Sequence, residues 1–463
     1  MANKHATLAA LFTDIADAIR EKTGDTASIV ADDFPSVIRE RLQMIPKIPY
    51  LTFSSPNSFT LAVNDAKKHW NGTLEYSTDT STWSTWDGTT TLSSAISGSD
   101  NVLYLRGIGN TYITGDIYSD YGWVLTGSDI SCIGNIENLL DYATVKSGAH
   151  PTMAKLCYTR MFYNCTSLTQ APTLPATTLA ESCYGYMFQG CTSLTQAPAL
   201  PATTLVNGCY SGMFYDCTSL TQAPALPATT LVIYCYYYMF YGCTSLTQAP
   251  ALPATTLADS CYHYMFSGCT GITKAPELPA TTLADSCYYY MFSDCTGLTQ
   301  APALPATTLK SKCYWGMFRG CTGITKAPAL PATTLADNCY HNMFYKCTSL
   351  TKAPSELPAT TLKTNCYLFM FEFTAITAIP RIMATTYATD SCKGMFDDIK
   401  TLNVYSRSGP GHEYGWTAPA STYCSVMFGS DDGESEWAKL DGSNFPNSGT
   451  PTEGTTYYFA TYD

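Results

Sequence analysis

The chain has 463 residues, which at roughly 100–200 residues per domain means about three domains or one elongated array. Hydrophobic residues make up 45% and charged residues only 13%, which excludes a disordered chain and is about half the roughly 25% charge usual for globular domains. With 25 Lys+Arg against 37 Asp+Glu and a net charge of −12, a nucleic-acid backbone or an anionic membrane surface is excluded as a partner.

At the start, Asp14, Asp17 and Glu21 interrupt every apolar run, so no signal-peptide core is predicted. No stretch of 18 apolar residues exists to span a membrane. The expectation is a chain made in the cytoplasm. Leu8, Leu11, Phe12, Ile15 and Ile19 recur at helical spacing, with Gly24 as a stop. A second short helix is predicted near Asp33, with Pro35 in its first turn. Residues 1–45 are too few for a core of their own. They read as a cap on the next domain or as a docking or oligomerisation segment.

Residues 46–130 read as a β-rich domain. Short β-prone runs at 50–53, 59–63, 74–76, 102–105 and 111–113 are separated by Ser/Thr/Asp/Gly turns, and a small β-sandwich is expected. Trp70, Trp83 and Trp86 are the residue type of a sugar platform, but core or hairpin packing is the expected reading.

Residues 131–404 are governed by a period. Cys157, Cys183, Cys209, Cys235, Cys261, Cys287, Cys313 and Cys339 stand 26 residues apart, and Cys366 follows after 27. Each of the first eight is followed eight residues later by another Cys, from Cys165 to Cys347. The unit reads CYxxMFxxCTSLTQAPALPATTLxxx. Such self-similarity means a solenoid. Numbered from the first Cys as position 0, Cys, Met and Cys occupy 0, 4 and 8, one face of a helix. Asp259 and Asp285 sit where N-caps would. Gly, Asn or Asp at position 7 suits the left-handed end of a helix. One two-turn helix per repeat is therefore predicted. A short strand would follow, cut by the prolines at 15 and 18. Stacked strands would form a parallel sheet with about 4.8 Å between repeats. The fold class is an α/β solenoid, and residues 405–463 read as a repeat remnant and cap.

Three cysteine arrangements compete. Zinc needs ligands gathered at about 2.3 Å, and an i, i+8 pair on a helix is separated by about 12 Å of rise. That distance also defeats an intra-helix disulfide. Bridges from the second Cys of one repeat to the first of the next remain open beside independent buried thiols. The persistence of Cys366, Cys392 and Cys424 without a partner eight residues on favours thiols.

The repeats vary against this constant frame. Positions 0, 1, 4, 5 and 8 barely change, whereas 2, 3 and 6 change throughout. With 0, 4 and 8 inward on a helix, the variable positions face out. They carry Tyr186, Tyr215, Tyr237, Tyr238, Tyr241, His263, Tyr264, Tyr289, Tyr290, Trp315 and Arg319. Unconstrained surface drifts to Lys and Glu rather than aromatics. Exposed Tyr, Trp, His, Ser and Gly is the composition of a binding surface, so this stripe is the candidate ligand site.

No enzyme is expected. None of the six His lies in a zinc-protease, nucleophile-elbow or phosphate-loop context. The acidic run with Asp431, Asp432, Glu434 and Glu436 lacks an EF-hand register and reads as a solvated turn. No cofactor or metal site is predicted.

Met161–Phe162, Cys165, Ser167–Leu168 and Pro172, with their equivalents through Phe344 to Pro354, resemble the BspA-like leucine-rich repeats. The LPATTL variant is similar to those of gut bacteria and their phages. The segment LFTDIADAIREKTG…DDFPSVI resembles a module that starts many phage tail and tail-fibre proteins. LEYSTDTSTWSTWDGTTTL resembles the domain before such repeats. The resemblance implies a virion tail fibre or receptor-binding protein that holds a bacterial surface glycan or protein. Residues 1–45 would meet other tail proteins, and a homotrimer is compatible. A bacterial BspA-like surface adhesin is the alternative.

Overall fold

A computed structural model describes residues 49–399, apart from 119–120, 378–379 and 397–398. The expected N-terminal helices, the C-terminal cap, Cys424 and the acidic run lie outside the described residues.

Nine strands open the described chain. Strands β1 (Leu51–Ser55), β3 (Thr73–Ser77), β4 (Ser84–Trp86), β6 (Ala95–Ser97), β7 (Asp100–Ile108) and β9 (Ile130–Ile133) join one sheet, ordered β9-β1-β7-β3-β4 with β6 on β7. Strands β2 (Thr60–Val63), β5 (Leu92–Ser93) and β8 (Trp123–Thr126) form a second sheet, ordered β5-β2-β8. These pairings are antiparallel. No strand forms at 111–113, where Ile113 and Thr114 instead donate to the Cys157 carbonyl. One short helix, α1 (Asn138–Lys146), follows. It is held to the end of β7 by Asn110 Nδ2 on the Leu139 carbonyl at 2.9 Å and by the Gly109 amide on Asp141 Oδ2 at 3.0 Å.

The tryptophans divide by register. Trp70 and Trp86 are in the core, with centroids 5.1 Å apart. Trp83 is half-buried, and the Arg106 guanidinium lies over its ring at 4.0 Å while Glu75 binds Arg106 Nε at 2.7 Å. A face covered in this way is packing rather than a sugar platform.

The β-rich segment is the first turn of the array as well as a domain. β9 pairs antiparallel with β1 and parallel with β10 (Leu168–Gln170) of the first repeat, so it straddles the expected boundary at residue 130. Trp123 donates its amide to the Met161 carbonyl and accepts the Cys165 thiol. The repeat backbone groups that have no preceding repeat are thereby satisfied.

The predicted helices of the repeats do not form. The Cys–Met–Phe segment is a train of turns in which the residues at positions −1, 3 and 7 have positive φ, which no α-helix admits. Even-numbered positions donate their N–H three residues back, as Met187 does to the Tyr184 carbonyl at 3.2 Å. Odd-numbered positions donate to the next repeat, as Tyr184 does to Cys209 at 3.1 Å and Phe188 to Met213 at 3.0 Å. Every amide from −1 to 8 is paired in this way in the second repeat. A four-residue period puts positions 0, 1, 4, 5 and 8 inward together, and all five are buried from Cys157 to Cys347.

Backbone pairing is therefore densest where a helix was expected and sparsest where a sheet was expected. The TSLTQAP segments meet through single parallel bridges such as Gln196 with Gln222, and the LPATTL segments through bridges such as Thr230 with Thr256. Only the two-residue pair β11 (Glu356–Leu357) and β12 (Arg381–Ile382) extends this late in the array. The two prolines remove the donors that a ladder needs. The expected helix caps serve the next repeat instead. Asp259 Oδ1 accepts the Asp285 amide at 3.1 Å, and Asp285 Oδ1 accepts that of Ser311 at 3.0 Å.

Two aromatic ladders fill the core. Tyr at position 1 stacks from Tyr158 to Tyr367 with centroids 5.6–6.1 Å apart. Phe at position 5 stacks from Phe162 to Phe396 at 5.5–5.9 Å. The nineteen described cysteines are buried and outside any disulfide. The thiol at position 8 points back, donating to the carbonyl of the preceding repeat's Phe: Cys191 to Phe162 at 3.1 Å, Cys243 to Phe214 at 3.0 Å, Cys269 to Phe240 at 2.9 Å. It is thus aimed away from the first Cys of the next repeat. Burial pushes the thiols up, Cys209 and Cys287 to about 12.

Candidate functional site

The variable positions lie on one face because the four-residue period turns 2, 3 and 6 away from the buried set. They are not free surface, as a helix would have made them. From Tyr186 to Arg319 the candidate aromatics and Arg319 are half-buried, because from Tyr215 to Trp315 each ring packs on a ring one repeat away.

Position 2 builds one column. Tyr237 stacks on His263 at 4.8 Å, His263 on Tyr289 at 4.4 Å, Tyr289 meets Trp315 at 5.4 Å, and Trp315 stacks on His341 at 4.1 Å. Position 3 builds a second, with Tyr238 on Tyr264 at 4.8 Å and Tyr264 on Tyr290 at 5.0 Å. At position 6, Tyr215 stacks on Tyr241 at 4.6 Å. Edge contacts tie the columns together, Tyr237 to Tyr238 at 4.4 Å and Tyr264 to Tyr289 at 5.6 Å. Eight of the eleven predicted residues, Tyr237, Tyr238, Tyr241, His263, Tyr264, Tyr289, Tyr290 and Trp315, thus form one continuous cluster, and Tyr215 joins it through Tyr238 and Tyr241. Tyr186 stands to one side. It lies over the missing side chain of Gly212, with the Arg160 guanidinium 4.9 Å from its ring. Arg319 is at the other end, 3.6 Å from Asp294 and 5.4 Å from the Tyr345 ring centre. The sequence reasoning missed Tyr234 at position −1, which is 49% exposed and packs edge-on against Tyr237 at 5.2 Å. Its signal was the run of Tyr on both sides of Cys235.

The position-3 tyrosines carry a cost. Tyr186, Tyr238, Tyr264 and Tyr290 have φ between 50° and 55°, a left-handed conformation worth about 1–2 kcal/mol against an L side chain. Gly212 and Gly316 occupy the same position at φ 58° and 59°, and Asn342 at 56°. Residues without that cost are therefore compatible with the frame.

Burial alters the chemistry of the stripe. The phenols of Tyr238 and Tyr264 are held above their usual range by burial first and by neighbouring phenols second. Tyr215 is pushed up to about 12 by burial and then by Asp216. Desolvation lowers His263 and His341 to about 4, and the Nδ1 atoms of both are buried without a hydrogen-bond partner. Both rings are thus neutral at physiological pH. A folded-state value below the unfolded one, about 6.5, means that the unfolded chain binds protons first. These two residues should therefore leave stability untouched above pH 7 and erode it as pH falls from about 6.5 toward 4. NMR titration should show two imidazoles with midpoints near 4, and ordinary midpoints for both would contradict the stacked geometry.

No group of three or more His, Cys, Asp or Glu arranged to hold a metal occurs among the described residues. No helix among them is long and apolar enough to cross a membrane.

No curated protein matches the chain. A leucine-rich repeat protein from Bacteroides ovatus, known from a crystal structure, is similar at 21% identity with a TM-score of 0.29. That match covers 42% of this chain and 45% of the other, so this chain spans less than half the length of that protein. The model of the BspA type leucine rich repeat region, in six copies, matches residues 155–299, 210–351 and 261–393. These matches together span more than half of the chain and coincide with the array of turns and aromatic ladders, and the chain belongs to the BspA-type leucine-rich repeat family.

Proposed function

We propose that the array is a recognition surface for a glycan or protein on bacterial cells, carried by a phage tail fibre or receptor-binding protein. The observation behind the binding site is the retention of Tyr at position 3. Four tyrosines are held in a left-handed backbone that Gly and Asn occupy without the same cost in neighbouring repeats. Strain kept where the fold does not require it points to function. The resemblance of the N-terminal segment to tail modules supports the virion assignment. The BspA-type family match favours a second reading, a bacterial surface adhesin.

Tyr238→Gly/Tyr264→Gly separates binding from folding. Each change relieves about 1–2 kcal/mol of backbone strain, against nine ring contacts given up by the pair at about 0.5–1.5 kcal/mol each, and circular dichroism first establishes that the variant is folded. Binding of purified protein to a panel of gut bacterial strains should fall at least tenfold. Undiminished binding by the folded variant would remove the stripe as the site. The tail-fibre assignment further expects purified protein to block phage adsorption, and no competition at saturation would leave the adhesin.

A further inference from the structure

The fourth repeat, which starts at Cys235, breaks the frame at one point. From the second repeat to the tenth, position −2 is Glu, Asn, Asp, Ser or Thr except for Ile233. Position −1 is Ser, Gly, Lys, Asn or Asp except for Tyr234. This pair runs against the fold in three ways. At position −2, Asp259, Asp285 and Asp337 accept the amide one repeat on, at 3.1, 3.0 and 3.1 Å, and isoleucine has no acceptor for that bond. Position −1 is left-handed, with φ 57° at Tyr234 against 63° at Gly208 and 54° at Ser260, a conformation that bulky side chains disfavour. Both side chains also face water. Ile233 is 40% and Tyr234 49% exposed, and they are the two large apolar side chains exposed among the described residues from Cys157 onward. Tyr234 is braced edge-on by Tyr237 at 5.2 Å, and Tyr237 is stacked in turn on His263 at 4.8 Å. The result is an apolar knob standing on the edge of the aromatic cluster.

The charge around the knob has one sign. No Lys or Arg stands between Arg160 and Lys274. Asp259 and Asp285 continue the position −2 row one and two repeats beyond Ile233, and both are exposed.

We infer that Ile233 and Tyr234 anchor the recognition surface and that the partner is a protein, with an apolar pocket edged by Lys or Arg. This refinement rests on the recognition reading above. Isoleucine gives a sugar neither a hydrogen bond nor a ring face. The apolar side chains of a protein pocket remove it and Tyr234 from water together. A few such anchors carry most of the energy of a protein interface. Basic residues at the pocket edge meet the carboxylates of Asp259 and Asp285.

The test binds the full chain to the panel of gut strains, with cells intact, treated with proteinase K, or treated with periodate, which cleaves sugar diols. Proteinase K should abolish binding and periodate should leave it unchanged. Ile233→Asp/Tyr234→Ser rewrites the fourth repeat as the fifth, so folding should persist while binding falls at least about twentyfold. If that variant fails to fold, Ile233→Asn/Tyr234→Gly copies the third repeat and should cost the same. Asp259→Asn/Asp285→Asn keeps an acceptor for both caps and should weaken binding about threefold, and no change there overturns the basic edge. Periodate-sensitive binding assigns the surface to a glycan and overturns the protein partner. Undiminished binding by a folded knob variant overturns the anchor, and the stripe reading then stands if Tyr238→Gly/Tyr264→Gly still loses binding. A wild-type dimer in sedimentation that the knob variant lacks overturns the inference too and assigns the knob to a second copy of the chain. No wild-type binding to any strain ends both readings.

Discussion

Phe266→Ala is expected to destabilise the array by about 3–5 kcal/mol, the range for truncating a fully buried aromatic. The ring is buried and stacked on both sides, 5.6 Å from Phe240 and 5.6 Å from Phe292. Its own carbonyl also accepts the Cys295 thiol at 3.0 Å. In a solenoid each repeat touches only its neighbours, so stability is a sum of repeat and interface terms. One truncation weakens two interfaces at once and should split the unfolding into separate segments. Urea denaturation with hydrogen exchange checks this. A change below about 1 kcal/mol would mean that the ladder does not hold the repeats together.

The second large effect is in thiol reactivity. Nineteen cysteines among the described residues are buried and outside any disulfide, and the thiolate rather than the thiol is the nucleophile. Burial raises the pKa of those from Cys132 to Cys366, to about 12 for Cys165 and Cys366. Native protein at pH 8 should therefore leave all nineteen unmodified by iodoacetamide over hours. Unfolded in guanidinium without reductant, the same nineteen should all alkylate. Intact mass reads both states. Each inter-repeat bridge would subtract two alkyl groups from the unfolded count, and a shortfall of several pairs would overturn the free-thiol arrangement. Truncating the position-8 thiol removes a donor but leaves the Phe carbonyl its backbone partner, as Cys217 provides for Phe214 at 3.1 Å. The penalty of an orphaned buried group is thus avoided.

Much of the array was legible because a repeat copies its own constraints. The 26-residue period, the constant set at positions 0, 1, 4, 5 and 8, with 0, 4 and 8 inward, and the variable set at 2, 3 and 6 were all on the page. The local conformation was misread. Cys, Met and Cys at 0, 4 and 8 satisfy a period of 3.6 and a period of 4 alike over so short a run. The discriminating signs were two. Tyr at 1 and Phe at 5 were as constant as the Cys and Met, which widens the inward face beyond a helical stripe. Small or left-handed-tolerant residues also recurred every fourth position, as in Ser182, Gly190, Gly208, Gly212 and Asp216. Tyr at position 3 hid that pattern, because bulky residues rarely take positive φ.

The period, the constant set and the identity of the varied residues follow from side-chain chemistry counted along one chain. Only the tertiary structure decided where the hydrogen bonds run and how much of the stripe is exposed. Both depend on residues 26 apart in sequence becoming neighbours. Odd-position amides find carbonyls only when the next repeat is in place. Ring faces close on one another only at the ladder spacing.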